Sequence, residues 1–275
     1  MANVMKQEKQ EQVIRCLLEG SSIRSTERLT GAHRDTIMRL MVRAGNGSKK
    51  LMDEKLQNLH INQIQMDEIW GYVGKKQRHV SEQEDNGQVG DVWAFVAIDA
   101  DTKLVPSFLV GKRTRENTES FLLDLAARLD SRVQLSADQL PVYVEAVWKA
   151  FGWQANFGQI VKSYEAEPTG SGRYSPPKVI SVEKTKVFGE PDFDKISTSF
   201  VERQNLTMRM NIRRLTRLTN AFSKKAENHS AAIALWFGYY NFVRSYRTLK
   251  TTPAVAAGVE KRSWKLNEFL GQVLN

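Results

Sequence analysis

The sequence predicts a mixed α/β protein in which helices flank a central sheet, with a small all-α domain at the N-terminal end. Three observations carry this prediction. Apolar residues recur at helical spacing before residue 45, runs rich in Ile, Val, Phe and Trp follow between residues 61 and 110, and helix and strand patterns alternate after residue 116. The chain has 275 residues and is 41% hydrophobic, so it can bury one main core and carry appendages.

The N-terminal segment predicts three short helices. The first covers Glu8–Leu18 and ends at Gly20, the second covers Ile23–Leu29, and the third covers His33–Ala44. A short turn containing Gly31 separates the second helix from the third, which is the arrangement of a helix-turn-helix. The second helix of that motif enters the major groove of DNA.

On this interpretation the side chains that face DNA are Arg34, Asp35, Thr36 and Arg39. The alternative is a small helical bundle with no role in DNA binding, because many bundles share the pattern. The composition of Gly45–Lys50 then predicts a linker. We therefore expect a helix-turn-helix domain at 1–47, a linker at 48–60, a catalytic core at 61–225 with an insertion at 152–196, and a helical C-terminal segment at 226–275.

Three strands are predicted after the linker, at Ile61–Val73, Val92–Ile98 and Leu104–Val110. The second and third form a hairpin, because Asp99–Thr102 has the composition of a turn. Asp99 and Asp101 are accordingly interpreted as turn formers and not as metal ligands.

A helix at Glu116–Leu129, a strand at Arg132–Ala137 and a helix at Pro141–Phe151 come next. The following segment, 152–196, contains four of the seven prolines and several glycines, so we expect loops with room for one hairpin. Its run Arg173–Lys178 is either a solvated loop or a contact for a DNA strand.

The order of these elements is that of the ribonuclease-H-like fold. A helical crossover would pair the fourth strand in parallel with the first. Asp138 directly follows the fourth strand, and Asp67 lies in the first. We therefore expect the two carboxylates to lie at neighbouring strand positions.

A strongly basic helix is predicted at Ser197–Lys225, with an apolar stripe at three- and four-residue spacing. Glu202 is the acid near its start, and Asn205 follows one helical turn later. The basic residues, expected to bind DNA phosphates, are Arg203, Arg209, Arg213, Arg214, Arg217, Lys224 and Lys225. The alternative is an ordinary amphipathic helix whose polar face happens to be basic. An aromatic helix at Glu227–Tyr246, interpreted as core, and a small helical pair at Thr252–Asn275 complete the chain.

Asp67, Asp138 and Glu202 are the candidate catalytic and metal-binding residues. Three gathered carboxylates repel one another unless a cation compensates them. Oxygen ligands favour Mg²⁺ or Mn²⁺, and two such ions can activate a water or a 3′ hydroxyl for in-line attack on phosphorus. Taken singly, Asp67 could be a solvated strand acid and Asp138 a turn acid.

The composition also limits the partners. The net charge of +9 and the pI near 9.6 favour a polyanion such as nucleic acid. Cys16 is the single cysteine, which excludes a disulfide framework and a multi-cysteine zinc site. With no signal peptide and no apolar run of membrane-spanning length, we expect a cytoplasmic protein with no membrane partner and no small-molecule substrate.

Several segments resemble the transposases of the Insertion Sequence One family, which are DDE-type enzymes with a ribonuclease-H-like core. They are MDEIWGYVGKK, DVWAFVAIDADTKLVPSFLVG, LPVYVEAV and ISTSFVERQNLTMRMNIRRLTRLTNAFSKK. The resemblance implies that Asp67, Asp138 and Glu202 form the metal-binding triad. It also implies cleavage of DNA at the ends of an insertion sequence, followed by transfer of the 3′ hydroxyl into double-stranded target DNA. A protein with this activity is expected to associate with the bacterial nucleoid. Because two ends must be joined together, a homodimer or larger assembly is expected.

Two departures from the family pattern keep alternatives open. The family usually has Gly after its second Asp, where this chain has Gln139, and a longer side chain there could crowd the metal. Well-known members carry an N-terminal zinc finger, which one cysteine cannot build, so the helix-turn-helix would recognise the DNA ends alone. The alternatives are an inactive or domesticated DNA-binding copy and a structure-selective nuclease on the same fold.

Overall fold

The computed structural model describes residues 5–84, 87–165, 179–217 and 219–275. Within these residues the helices are α1 Gln7–Leu18, α2 Ile23–Thr30, α3 Arg34–Lys55, α4 Arg115–Ala127, α5 Pro141–Phe151, α6 Ser199–Asn211, α7 Ala226–Phe242, α8 Pro253–Ala256 and α9 Leu266–Val273. The strands are β1 Gln63–Val73, β2 Gly90–Asp99, β3 Phe108–Gly111, β4 Val133–Asp138, β5 Ala155–Tyr164 and β6 Val179–Phe188.

The strands form one mixed sheet in the order β3-β2-β1-β4-β5-β6. The first three are antiparallel neighbours, β4 is parallel to β1, and β5 is parallel to β4. With α4 and α5 as the crossovers, this is the ribonuclease-H-like topology, so the predicted fold class is confirmed. The predicted turn after β2 is also confirmed, because the Asp99 carboxylate accepts hydrogen bonds from the backbone N–H groups of Asp101 (3.0 Å) and Thr102 (3.3 Å).

Part of the predicted insertion belongs to the central sheet. β5 lies within 152–196 and is the fifth strand of the core, with Phe157 fully buried. β6 pairs with β5 in antiparallel fashion and forms the far edge of the sheet. The antiparallel pair of β5 and β6 agrees with the one hairpin predicted here, but the prediction of an insertion was wrong for β5, whose apolar run is interrupted by Gly158 and Gln159. The run Arg173–Lys178 lies outside the described residues.

The predicted linker was wrong: α3 continues through it to Lys55. A β-carbon at Gly45 would collide with the carbonyl of Ala231 on α7, and one at Gly47 would collide with the carbonyl of Val273 on α9. These glycines therefore allow helices to approach closely, although the same residues in sequence indicate a flexible connection. The division into domains remains a prediction.

The basic helix is also shorter than predicted. α6 ends at Asn211 and is followed by a short 3₁₀ turn, Arg213–Leu215, before the chain reaches α7. The Arg209 side chain donates a hydrogen bond to the Leu215 carbonyl (3.0 Å), and the Thr216 hydroxyl donates to the Arg209 carbonyl (3.1 Å). These bonds stabilise the turn, so the basic residues after Asn211 lie outside the helix.

The two acids of β1 point to opposite sides of the sheet, because successive strand residues alternate. Asp67 faces α6, where it meets Asn205, whereas Glu68 forms an ion pair with Arg113 (3.1 Å). The aromatic helix α7 packs along α3 in the core, with Trp236 and Phe237 almost fully buried, as predicted. Among the described residues, no helix is long and apolar enough to cross a membrane.

Candidate active site

Asp67 lies in the middle of β1 and is partly buried. Its carboxylate accepts a hydrogen bond from the Asn205 side-chain amide on α6 (2.8 Å). Burial raises the pKa of Asp67 from 3.8 to about 7, with further increases from the negative charges of Glu68, Asp138 and Glu202. The charged form is therefore poorly stabilised by the protein and would gain from a nearby cation.

Asp138 ends β4 on the strand beside Asp67. Met66 and Ala137 are paired in the parallel register of β1 and β4, so the acids that follow them are neighbours, as predicted. The Asp138 side chain is 45% exposed. Gln139 is exposed, donates its backbone N–H to the Ile160 carbonyl (3.0 Å) and does not adopt a positive φ. The backbone therefore has no need of glycine at this position.

Hydrogen bonds at the start of α6 fix the position of Glu202. The buried side-chain oxygen of Gln65 on β1 accepts hydrogen bonds from the backbone N–H groups of Phe200 (2.7 Å) and Val201 (3.3 Å). These N–H groups have no partner inside the helix, so Gln65 fixes the start of α6 against β1. The Thr198 hydroxyl then donates to the Glu202 carboxylate (2.6 Å). A glutamine inside an apolar strand was the available signal for this role, and the sequence analysis missed it.

Lys162 on β5 is a second residue that the sequence analysis missed. Its ammonium group forms ion pairs with the carboxylates of Glu202 and Asp138, the latter at 3.4 Å, and lies 3.3 Å from the Thr198 hydroxyl. The Lys162 side chain is 17% exposed. It was not considered because its segment was predicted to be a loop.

The donor atoms near these acids suit a hard cation. Asp67, Asp138 and Glu202 offer carboxylate oxygens, and the side-chain oxygen of Asn205 is buried and has no hydrogen-bond partner among the described residues. In the described residues, however, no three His, Cys, Asp or Glu side chains are gathered closely enough to hold an ion. The residue types therefore fit Mg²⁺ or Mn²⁺, while Lys162 lies between two of the three acids.

The predicted DNA-binding residues fall into three groups. Two of them are engaged elsewhere: Asn205 is buried against Asp67, and Arg209 bonds backbone carbonyls, including that of Trp70 (3.4 Å). Thr36 and Arg214 are partly buried. The exposed ones are Arg34, Arg39, Arg203, Arg213, Arg217, Lys224 and Lys225.

A cleft of about 760 Å³ lies between the N-terminal helices and the segment that follows α6. Its basic lining residues are Arg24, Arg34, Arg213, Arg214 and Lys224. Arg214 donates hydrogen bonds to Ser223 (3.1 Å) and to the sulfur of Met41 (3.3 Å), and burial lowers its pKa to about 10. Among the described residues, no carboxylate pairs with it. Asp35 also lines the cleft and pairs with Arg34 (3.5 Å), so five basic residues face one acid and the net positive charge suits an anion.

Comparison with known proteins identifies relatives for this chain. The family described as IS1 transposase matches residues 183–243, a segment that contains Glu202. The insertion element IS1 protein InsB of Shigella flexneri is 28% identical over 183 residues, covering 66% of this chain and 96% of that protein. An IS1 InsB protein of Escherichia coli (strain K12) is also 28% identical over 183 residues, and the match covers 66% of this chain and 75% of that protein.

Two solved transposase structures were also found. One is a cryo-EM structure of the piggyBac transposase synaptic complex with hairpin DNA, at 10% identity and a TM-score of 0.39, covering 98% of this chain and 70% of that one. The other is the crystal structure of the Mos1 strand transfer complex, at 14% identity and a TM-score of 0.23, covering 56% and 59%. These TM-scores are too low to establish a shared fold. The fold class follows instead from the strand order of the sheet.

Proposed function

We propose that this protein is a DNA transposase of the IS1 family, which cuts DNA at the ends of an insertion sequence and joins the freed 3′ hydroxyl to target DNA. The observation that carries the proposal is the convergence of three acids from β1, β4 and α6. Asp67 and Asp138 occupy neighbouring positions of β1 and β4, and Lys162 pairs with the carboxylates of both Asp138 and Glu202. Such a concentration of negative charge favours a cation, and the cleft lined by basic residues on the same chain suits DNA.

Divalent cations, two Mg²⁺ or Mn²⁺, would activate the attacking water or 3′ hydroxyl and stabilise the leaving oxygen. The three carboxylates would hold these ions. The chain's other residues set the geometry: Asn205 orients the Asp67 carboxylate, and Thr198 orients that of Glu202. Gln65 keeps the helix that carries Glu202 in register with the strand that carries Asp67.

The DNA path in this proposal joins the helix-turn-helix to the catalytic core. Arg34, Thr36 and Arg39 on α3 would contact the ends of the element. Arg34 also lines the basic cleft, together with Arg213 and Lys224 of the segment after α6, so one duplex could contact both parts. Two such ends would be held by a homodimer or a larger assembly.

The experiment that tests the proposal incubates the full chain with Mg²⁺, a labelled duplex carrying the terminal repeat of the element, and a target plasmid. We expect nicking at the repeat and labelled DNA joined to the plasmid. Binding without nicking would instead support an inactive DNA-binding copy. Nicking without joined product would support a structure-selective nuclease.

A further inference from the structure

Lys162 has no part in the reaction proposed above, yet it lies inside the candidate site. An ammonium group has three N–H donors, and three oxygen-bearing groups surround this one: Glu202, Asp138 and Thr198. The lysine side chain is mostly buried, whereas both carboxylates are 45% exposed. The positive charge is therefore fixed by the protein while the acids remain open to solvent.

The position of this charge has two consequences. Without it, two neighbouring carboxylates on different elements would repel each other, so the lysine helps to keep β4 and α6 together. A divalent ion that binds both acids, in contrast, would need the region that the ammonium group occupies. Two cations would also repel each other across so short a distance.

We propose that Lys162 is an internal counter-cation that bridges Asp138 and Glu202 in the metal-free protein and competes with the divalent ion for them. This inference rests on the proposed metal site. Metal binding then includes the displacement of the lysine, which weakens the affinity for the ion. Lys162 is thus a positioning residue that sets the cation concentration at which the site becomes loaded.

The test measures metal affinity without DNA and without activity. Mn²⁺ is titrated into the full chain, and the free ion is followed by electron paramagnetic resonance. Lys162→Met keeps the length of the side chain and removes its charge, whereas Lys162→Arg keeps the charge. Lys186→Met is the matched control, because Lys186 lies on the adjacent strand β6 and pairs with Glu190 at 2.6 Å, outside the site.

We expect Lys162→Met to bind Mn²⁺ at least about tenfold more tightly than the parent, a change that corresponds to about 1.4 kcal/mol. Lys162→Arg and Lys186→Met should stay close to the parent. Lys162→Gln serves as a second neutral variant, and its melting temperature should rise more on addition of Mn²⁺ than that of the parent. An unchanged or weaker Mn²⁺ affinity in both neutral variants would overturn the inference.

A further variant, Glu202→Gln, separates this inference from the proposed function. If Glu202→Gln abolishes Mn²⁺ binding but the neutral lysine variants bind like the parent, the metal site stands and the role of Lys162 is refuted. If neither the parent nor the lysine variants bind Mn²⁺, the proposed metal site is refuted, and the inference with it. The same holds if Glu202→Gln leaves Mn²⁺ affinity unchanged.

Discussion

At the residue scale, His229 on α7 shows how a titratable side chain can be used for packing. It is 1% exposed, and its ring lies 3.0 Å from the Ser223 hydroxyl. Burial, and to a smaller degree the positive charge of Arg214, lowers the pKa of His229 from 6.5 to about 4. The folded protein thus keeps this imidazole neutral at pH values where the unfolded chain protonates it.

A pH dependence of stability follows from the sign of this shift. The stabilisation is fully present above pH 6.5 and is lost as the pH falls to about 4, which amounts to about 3 kcal/mol. We expect the free energy of unfolding of the parent to fall by this much more than that of His229→Gln over the same range. Urea unfolding in the presence of a chelator measures both profiles. Parallel profiles would contradict the prediction.

The residues of the candidate site differ in how readily the sequence identifies them. Asp67 could be selected because an acid within an apolar strand is unusual, and the alternation of β1 explains why its neighbour Glu68 is not part of the site. Gln65 could be recognised only as a polar residue inside the same strand, without its partners, and Lys162 gave no signal. Their roles depend on partners 135 positions away, at Phe200, and 40 positions away, at Glu202, which only the folded chain brings close.

At the element scale, hydrophobic periodicity predicted the helices and strands that are long and regular. It failed where packing partners decide the structure. Gly45 and Gly47 indicate a linker by composition, but their lack of a side chain is what brings α3 close to α7 and α9. The apolar run of β5 is interrupted at Gly158, which packs against Ile196. A larger apolar residue at this position would have indicated a strand.

We expect substitution of glycine by alanine to lower the stability of the protein on α3 and to raise it on α9. Gly45→Ala would place a methyl group against the backbone of Ala231, so we expect it to lower the free energy of unfolding by about 1–3 kcal/mol. Gly271→Ala on α9 has open space around its β-carbon, and we expect it to raise stability by about 0.5–1 kcal/mol. Urea unfolding of both variants is the measurement. Stabilisation by Gly45→Ala would show that α3 and α7 are not in close contact.

At the scale of the whole molecule, the basic cleft brings the N-terminal helices and the segment after α6 to one surface. We expect Arg213→Ala and Lys224→Ala each to weaken binding of an end-sequence duplex. Each should also reduce the slope of log affinity against log salt concentration by about 1, because one phosphate contact releases about one counterion. Lys50→Ala is the control, since its side chain is 79% exposed on α3 and does not line the cleft. Equal slopes for the three variants would exclude the cleft from the DNA path.

We propose that Asp67, Asp138 and Glu202 act as one catalytic centre. It is tested most directly by the rate at which the Mg²⁺-loaded protein nicks the end-sequence duplex, measured for Asp67→Asn, Asp138→Asn, Glu202→Gln and their pairwise combinations. We predict that each single substitution lowers the rate by about 10³-fold or more while the duplex remains bound, and that the double variants lose little more, because residues that act as a unit are not additive. A single variant that nicks the duplex as fast as the parent would contradict the claim.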